Sequence, residues 1–219
     1  MRDNLSPEIF GQTPWQTVGP FFHYCLPWKG AADLIGCSEI GARPDLMPPE
    51  HYTLHVPGKR GAIAGRAIEI TGRVLDGEGT PVPDAMVEIW QANSAGRYRS
   101  PGDTRSELPL DSDFLGFGRA AVGADGEVVL RTVMPGRVPG PGNTLQSPHI
   151  AIGVLGRGLL KRLVTRLYFE DGEGLDTDPI LDLVPPERRD TLIARRNGAD
   201  AYRFDIILQG ARETAFFDC

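Results

Sequence analysis

The sequence is short of nearly everything that marks a secreted, membrane-bound or nucleic-acid-binding protein. Only 3 of its 219 residues are cysteine: Cys25, Cys37 and Cys219, with no CxxC spacing among them. An odd number without a metal-type spacing reads as free thiols in a reducing compartment. The stretch Met1 to Phe10 lacks the apolar core of a secretory signal, and no later run is long and apolar enough to span a bilayer. A cytoplasmic chain is expected. Positive charge is also in deficit, with 23 Lys and Arg against 29 Asp and Glu and a net charge of −6, both signs mixed along the chain. That balance argues against nucleic acid or an anionic membrane as partner. The basic cluster Arg188-Arg189…Arg195-Arg196 is offset by Glu187 and Asp190 and reads as a solvated helix face.

What is present is turn chemistry and short apolar runs. Hydrophobic residues make up 41% of the chain, enough for one sizeable core. The 27 glycines and 19 prolines, about a fifth of all residues, suit many turns between short strands. From Ala67 onward, Ile68, Ile70, Gly72 and Val74 alternate with Glu69, Thr71 and Arg73 before the turn Asp76-Gly77-Glu78-Gly79. Further strands are expected at residues 85–90, 127–133, 149–155, 162–169 and 203–209, with an edge strand at 214–217. One helix is expected over 186–197, with Pro185 and Pro186 at its start and Asn197-Gly198 at its C-cap. The fold class is all-β, a β-sandwich carrying that helix. Residues 1–66 are irregular but apolar. They read as an N-terminal arm packed on the core or on a partner, and residues 67–219 as the β-sandwich domain.

The chemistry turns on His149. On a strand, residues two apart share a face, so a His-x-His pair would offer two imidazoles to one metal. Here the second position is Ala151. No tyrosine lies between Arg99 and Arg166, so no phenolate from that stretch replaces the missing ligand. Glu107, Asp111 and Asp113 have metal-binding side chains but follow no metal-binding spacing. Trp90 and Tyr98 read as core and framework.

Several segments, in order over nearly the whole chain, resemble the intradiol ring-cleavage dioxygenases, within them the protocatechuate 3,4-dioxygenase group. They include Gln16-Thr17-Val18-Gly19-Pro20-Phe21, Val87-Glu88-Ile89-Trp90-Gln91-Ala92-Asn93, Thr132-Val133-Met134-Pro135-Gly136, Pro148-His149-Ile150 and Thr165-Arg166-Leu167-Tyr168-Phe169. The resemblance implies Fe(III) held by two tyrosines, two histidines and hydroxide, and cleavage of a catechol ring by O2. This chain departs from the pattern at three of the four ligands. Neither tyrosine is present near Ser106–Leu108 or after Pro135-Gly136, and the histidine pair is reduced to His149. Gln146 stands near the position of the family's catalytic arginine.

The resemblance therefore implies the iron-free, α type of two homologous chains. The Fe(III) is expected in a β subunit, no catalytic residue in this chain, and protocatechuate at the boundary between the two. By motif, Thr17, Gly19 and Pro20 would line that pocket. Arg157, between Gly156 and Gly158, could pair bidentately with the substrate carboxylate. His149 would be a remnant of the ligand set, and a closed, symmetric hetero-oligomer is the expected assembly. The competing reading is a stand-alone β-sandwich module that binds an aromatic acid without catalysis.

Overall fold

The computed structural model describes residues 32–35, 63–111 and 114–218. Its elements in chain order are β1 (Ala67–Leu75), β2 (Met86–Trp90), β3 (Phe117–Ala121), β4 (Glu127–Val133), β5 (Val138–Pro139), β6 (Leu145–Gln146), β7 (His149–Leu155) and β8 (Leu163–Phe169). The helix α1 (Pro186–Arg189) follows, then β9 (Ile193–Arg196), β10 (Ala201–Arg203) and β11 (Ile206–Ile207). Among the described residues no helix is long and apolar enough to cross a membrane.

Alternation builds the larger strands as expected. In β1, Ile68, Ile70, Gly72 and Val74 are buried while their neighbours are not. Gly72 is required by a close approach: a Cβ there would lie 1.8 Å from the carbonyl oxygen of Phe204. The turn after β1 closes on the Asp76 carboxylate, whose Oδ1 accepts from the backbone N–H of Glu78 (2.9 Å) and Thr80 (2.8 Å). β4 pairs antiparallel with β1 along its whole length. β3, β2, β7 and β8 form an antiparallel run on the other side. Ile68, Ile70 and Leu130 from one half share a single buried cluster with Val87, Ile89, Ile150, Ile152 and Leu167 from the other. Two sheet faces packed over one apolar layer make the expected β-sandwich.

The expected helix over 186–197 is corrected by the structure. Helix α1 covers only Pro186–Arg189, a 3-10 turn covers Asp190–Leu192, and Ile193–Arg196 is a strand. β9 bridges the halves of the sandwich, parallel to β8 through Tyr168 and Phe169 and antiparallel to β10 through Tyr202 and Arg203. Asn197-Gly198 accordingly serves a hairpin, with Asn197 N–H donating to the Ala201 carbonyl at 2.8 Å. Arg195 and Arg196 are thus strand residues, ion-paired with Glu170 and Asp171 respectively. The run expected over 203–209 divides into β10 and β11, and 214–217 contributes only a bridge between Val164 and Phe217. β3, β5, β6 and β9 are additional to the strands expected from the sequence.

Most of the expected arm lies outside the described residues, as do Thr17, Gly19, Pro20, Cys25, Cys37, Asp113 and Cys219. The short piece 32–35 packs on the edge of β4: Leu34 N–H donates to the Arg131 carbonyl at 2.8 Å, and Arg131 N–H to the Ala32 carbonyl at 2.7 Å.

Candidate functional site

Strand β7 separates two environments. Ile150, Ile152 and Val154 point into the apolar layer, at most 1% exposed. His149, Ala151 and Gly153 take the other face. Register then assembles a row of side chains from three strands. Ala151 is opposite Trp90 of β2 on one side and Arg166 of β8 on the other, while His149 is opposite Tyr168. Directly opposed residues in an antiparallel pair share a face. Trp90, Ala151 and Arg166 therefore lie side by side, with His149 and Tyr168 in the next row.

A loop supplies the rest of the wall. The Asn93 side chain accepts from the backbone N–H of Ala95 (3.1 Å) and Arg97 (2.9 Å) and donates to the Pro109 carbonyl at 2.9 Å. Gly96 turns this loop at φ 79, where a Cβ would meet the Arg137 carbonyl oxygen at 2.0 Å. The turn carries Tyr98 back onto Trp90, their rings stacked 5.7 Å apart at 11°. These residues, with Asp103, Arg105, Val138, Gln146, His149 and Arg166 among the lining, enclose a cleft of about 470 Å³.

The charges in the cleft are unequally matched. Asp103 accepts from Arg105 Nε at 2.8 Å and from the Tyr98 backbone N–H at 2.8 Å. The Arg105 guanidinium holds the Asp103 carboxyl well below the usual carboxylate range. Arg166 instead donates to uncharged oxygens, Gln146 Oε1 at 2.6 Å and Tyr168 Oη at 3.3 Å. Behind it, the fully buried Asp178 accepts from the backbone N–H of Ser147 (2.7 Å), Ile180 (2.9 Å) and Leu181 (2.8 Å), and from the Tyr168 hydroxyl (3.2 Å). Four donors engage that carboxylate before any ligand arrives.

His149 is 5% exposed and its Nδ1 lies 2.8 Å from the Ser147 carbonyl oxygen. A carbonyl only accepts, so Nδ1 carries the proton and Nε2 the lone pair. Burial, reinforced by the Arg166 charge, lowers the imidazole pKa to about 4, so the ring is neutral at pH 7. Burial raises the pKa of Tyr98 and Tyr168, which disfavours their phenolate forms.

This donor set does not fit Fe(III). A hard trivalent cation needs several anionic oxygens. The cleft offers one imidazole, the Tyr98 hydroxyl, a single carboxylate (Asp103) already paired with Arg105, and the Arg166 guanidinium, which would repel the metal. Among the described residues no group of three or more His, Cys, Asp or Glu could hold a metal ion. Asp111 instead accepts from the Ala64 backbone N–H at 3.0 Å.

Arg157 stands elsewhere. It follows the far end of β7, about 20 Å of strand from His149 at ~3.3 Å per residue. Its Nε lies 3.2 Å from Asp84 Oδ2, out of hydrogen-bond alignment, and its side chain is 64% exposed. It is not among the residues lining the cleft. Sequence reasoning assigned Trp90 and Tyr98 to the framework and gave Arg166 no role. The available signal was alternation in Thr165-Arg166-Leu167-Tyr168, which sends Arg166 and Tyr168 to one face.

Comparison with known proteins agrees over nearly the whole chain. A family model described as "Dioxygenase" matches residues 50–210. The protocatechuate 3,4-dioxygenase alpha chain of Burkholderia cepacia is 38% identical over 215 residues, covering 94% of this chain and 97% of the relative. The beta chain from the same organism is 39% identical over 179 residues, covering 78% and 76% respectively. Among solved structures, the dioxygenase domain of a dioxygenase–carbohydrate-binding fusion from Streptomyces sp. SirexAA-E superposes with a TM-score of 0.53 at 26% identity. It matches over 70% of this chain and 86% of that domain.

Proposed function

This chain belongs to the intradiol ring-cleavage dioxygenase family, and from that premise we propose that it is the α-type subunit of a protocatechuate 3,4-dioxygenase. In this reading it binds no iron. A homologous β subunit supplies the Fe(III), which activates the catecholate ring toward O2. The present chain builds the shell, shapes the aromatic-acid pocket and excludes water. The observation that carries the reading is the row Trp90–Ala151–Arg166, where an alanine and a guanidinium stand on the face that His149 would share with a second imidazole.

Thr17, Gly19 and Pro20 are assigned to the rim of the shared pocket, where protocatechuate would lie between the two chains. Arg157 is assigned to the substrate carboxylate. Its exposed guanidinium is open to a group presented by a second chain, and its fork suits bidentate pairing. A closed, symmetric assembly of α and β chains in the cytoplasm completes the proposal.

The test is iron content, visible absorbance and protocatechuate turnover for this chain expressed alone and together with a β partner. A colourless, inactive chain alone and a coloured, active complex are expected. Colour or activity in the chain alone would refute an iron-free subunit. An inactive, uncoloured product in both cases would favour a stand-alone aromatic-acid binding module.

A further inference from the structure

The cleft beside His149 is built like a site for an organic anion. Arg166 is half-buried in its wall and has no carboxylate partner among the described residues. The two carboxylates nearby are already engaged, Asp103 by Arg105 and Asp178 by three backbone N–H groups and the Tyr168 hydroxyl. Among the described residues Arg166 touches no carboxylate directly, and the nearest one, Asp178, is reached only through the Tyr168 hydroxyl. Opposite the cation, across the methyl of Ala151, stands the stacked pair Trp90 and Tyr98. The cleft volume of about 470 Å³ accommodates a single substituted ring.

We propose that this cleft binds a small planar aromatic carboxylate without any metal, its carboxylate on Arg166 and its ring against Trp90 and Tyr98. A guanidinium donates two parallel N–H groups to a carboxylate, and its present acceptors are neutral oxygens that an anion replaces favourably. An aromatic wall selects a flat ring over an inorganic anion. No bond is made or broken, so the cleft is a binding site and Arg166 its anchor. The proposal concerns this chain's own cavity and holds with or without the subunit reading.

The experiment titrates the full-length chain with 4-hydroxybenzoate by calorimetry, and repeats the titration on its complex with an iron-bearing partner. In the complex, binding at the iron is followed separately through the visible absorption band. One binding event per chain is expected. Arg166→Gln should weaken it by about tenfold or more, the scale of a lost charge-assisted hydrogen bond, while leaving the visible-band response unchanged. On the wild-type chain 4-hydroxybenzamide, which has the same shape without the charge, should bind about tenfold more weakly than the acid, so the result does not depend on the variant folding. Equal affinity for acid and amide, unaltered affinity in Arg166→Gln, or displacement by inorganic phosphate as effective as by another benzoate would each overturn the assignment.

Discussion

Ala151 and Gly153 stand two residues apart on one face of β7, both too small to fill the space beside them, and the molecule treats the two spaces differently. At Gly153 the space is taken: a Cβ there would lie 2.1 Å from Arg162 Nε. That arginine crosses to Glu88 at 3.1 Å, where Arg119 also bonds at 2.7 Å, so the cations share a carboxylate. At Ala151 the neighbours in register are Trp90 and Arg166, both lining an open cleft, and Arg166 rests on uncharged oxygens. A small residue covered by a paired cation holds strands together. A small residue beside an unmatched cation leaves capacity for a ligand.

Removing the anchor behind the cleft should have the largest effect on this contrast. Asp178→Ala strips the acceptor from three backbone N–H groups, two of them buried, and from the Tyr168 hydroxyl. Each orphaned donor carries a desolvation cost, so a loss of about 3–5 kcal/mol is expected in urea unfolding, together with loss of cleft binding. A loss below about 1 kcal/mol would show that the His149 end does not depend on this carboxylate.

Acid should weaken the cleft end next. The His149 imidazole titrates near 4 in the fold against an ordinary 6.5, so the unfolded chain takes up the proton first. Its contribution is intact above about pH 6.5 and is lost as pH falls toward 4, roughly 3 kcal/mol across that window. The unfolding midpoint measured against pH should show this slope in the wild type and a shallower one in His149→Gln. Parallel curves would remove His149 from the account.

The covered row gives a smaller effect. Gly153→Ala pushes Arg162 off its seat and should cost about 1 kcal/mol, read as a lower thermal midpoint, with 4-hydroxybenzoate affinity unchanged. A change in that affinity would mean the two rows are coupled. The smallest stability effect belongs to Arg157→Ala: its exposed pair with Asp84 should contribute less than about 0.5 kcal/mol. Its functional effect is separable. In the complex, weaker discrimination between protocatechuate and catechol is expected, and unchanged discrimination would withdraw Arg157 from carboxylate recognition.

Much of the sandwich was legible along the chain because alternation is a local property. β1 begins at Ala67, and β4 and β7 span the residues that their patterns indicate. The turn at Asp76–Gly79 follows from residues that favour such bends. The failures have a common cause. Ile193–Arg196 follows a helical start and precedes Asn-Gly, so its local pattern reads as a helix end. It becomes a strand because β8 and β10 offer it backbone partners on both sides. β5 and β6 are only two residues each, too short for any period.

The site divides along the same line. That His149 has no imidazole two residues on, and that no tyrosine lies between Arg99 and Arg166, is readable along the chain. Ligand types are written in the residues, and a methyl group coordinates nothing wherever it is placed. It took the folded chain to put Trp90, Ala151 and Arg166 in one row, to fold Tyr98 back onto Trp90, and to leave Arg157 outside the cleft. Those neighbours come from separate strands and a loop. Their meeting depends on strand register, which is set by pairing across the sheet and has no local signature in any one strand.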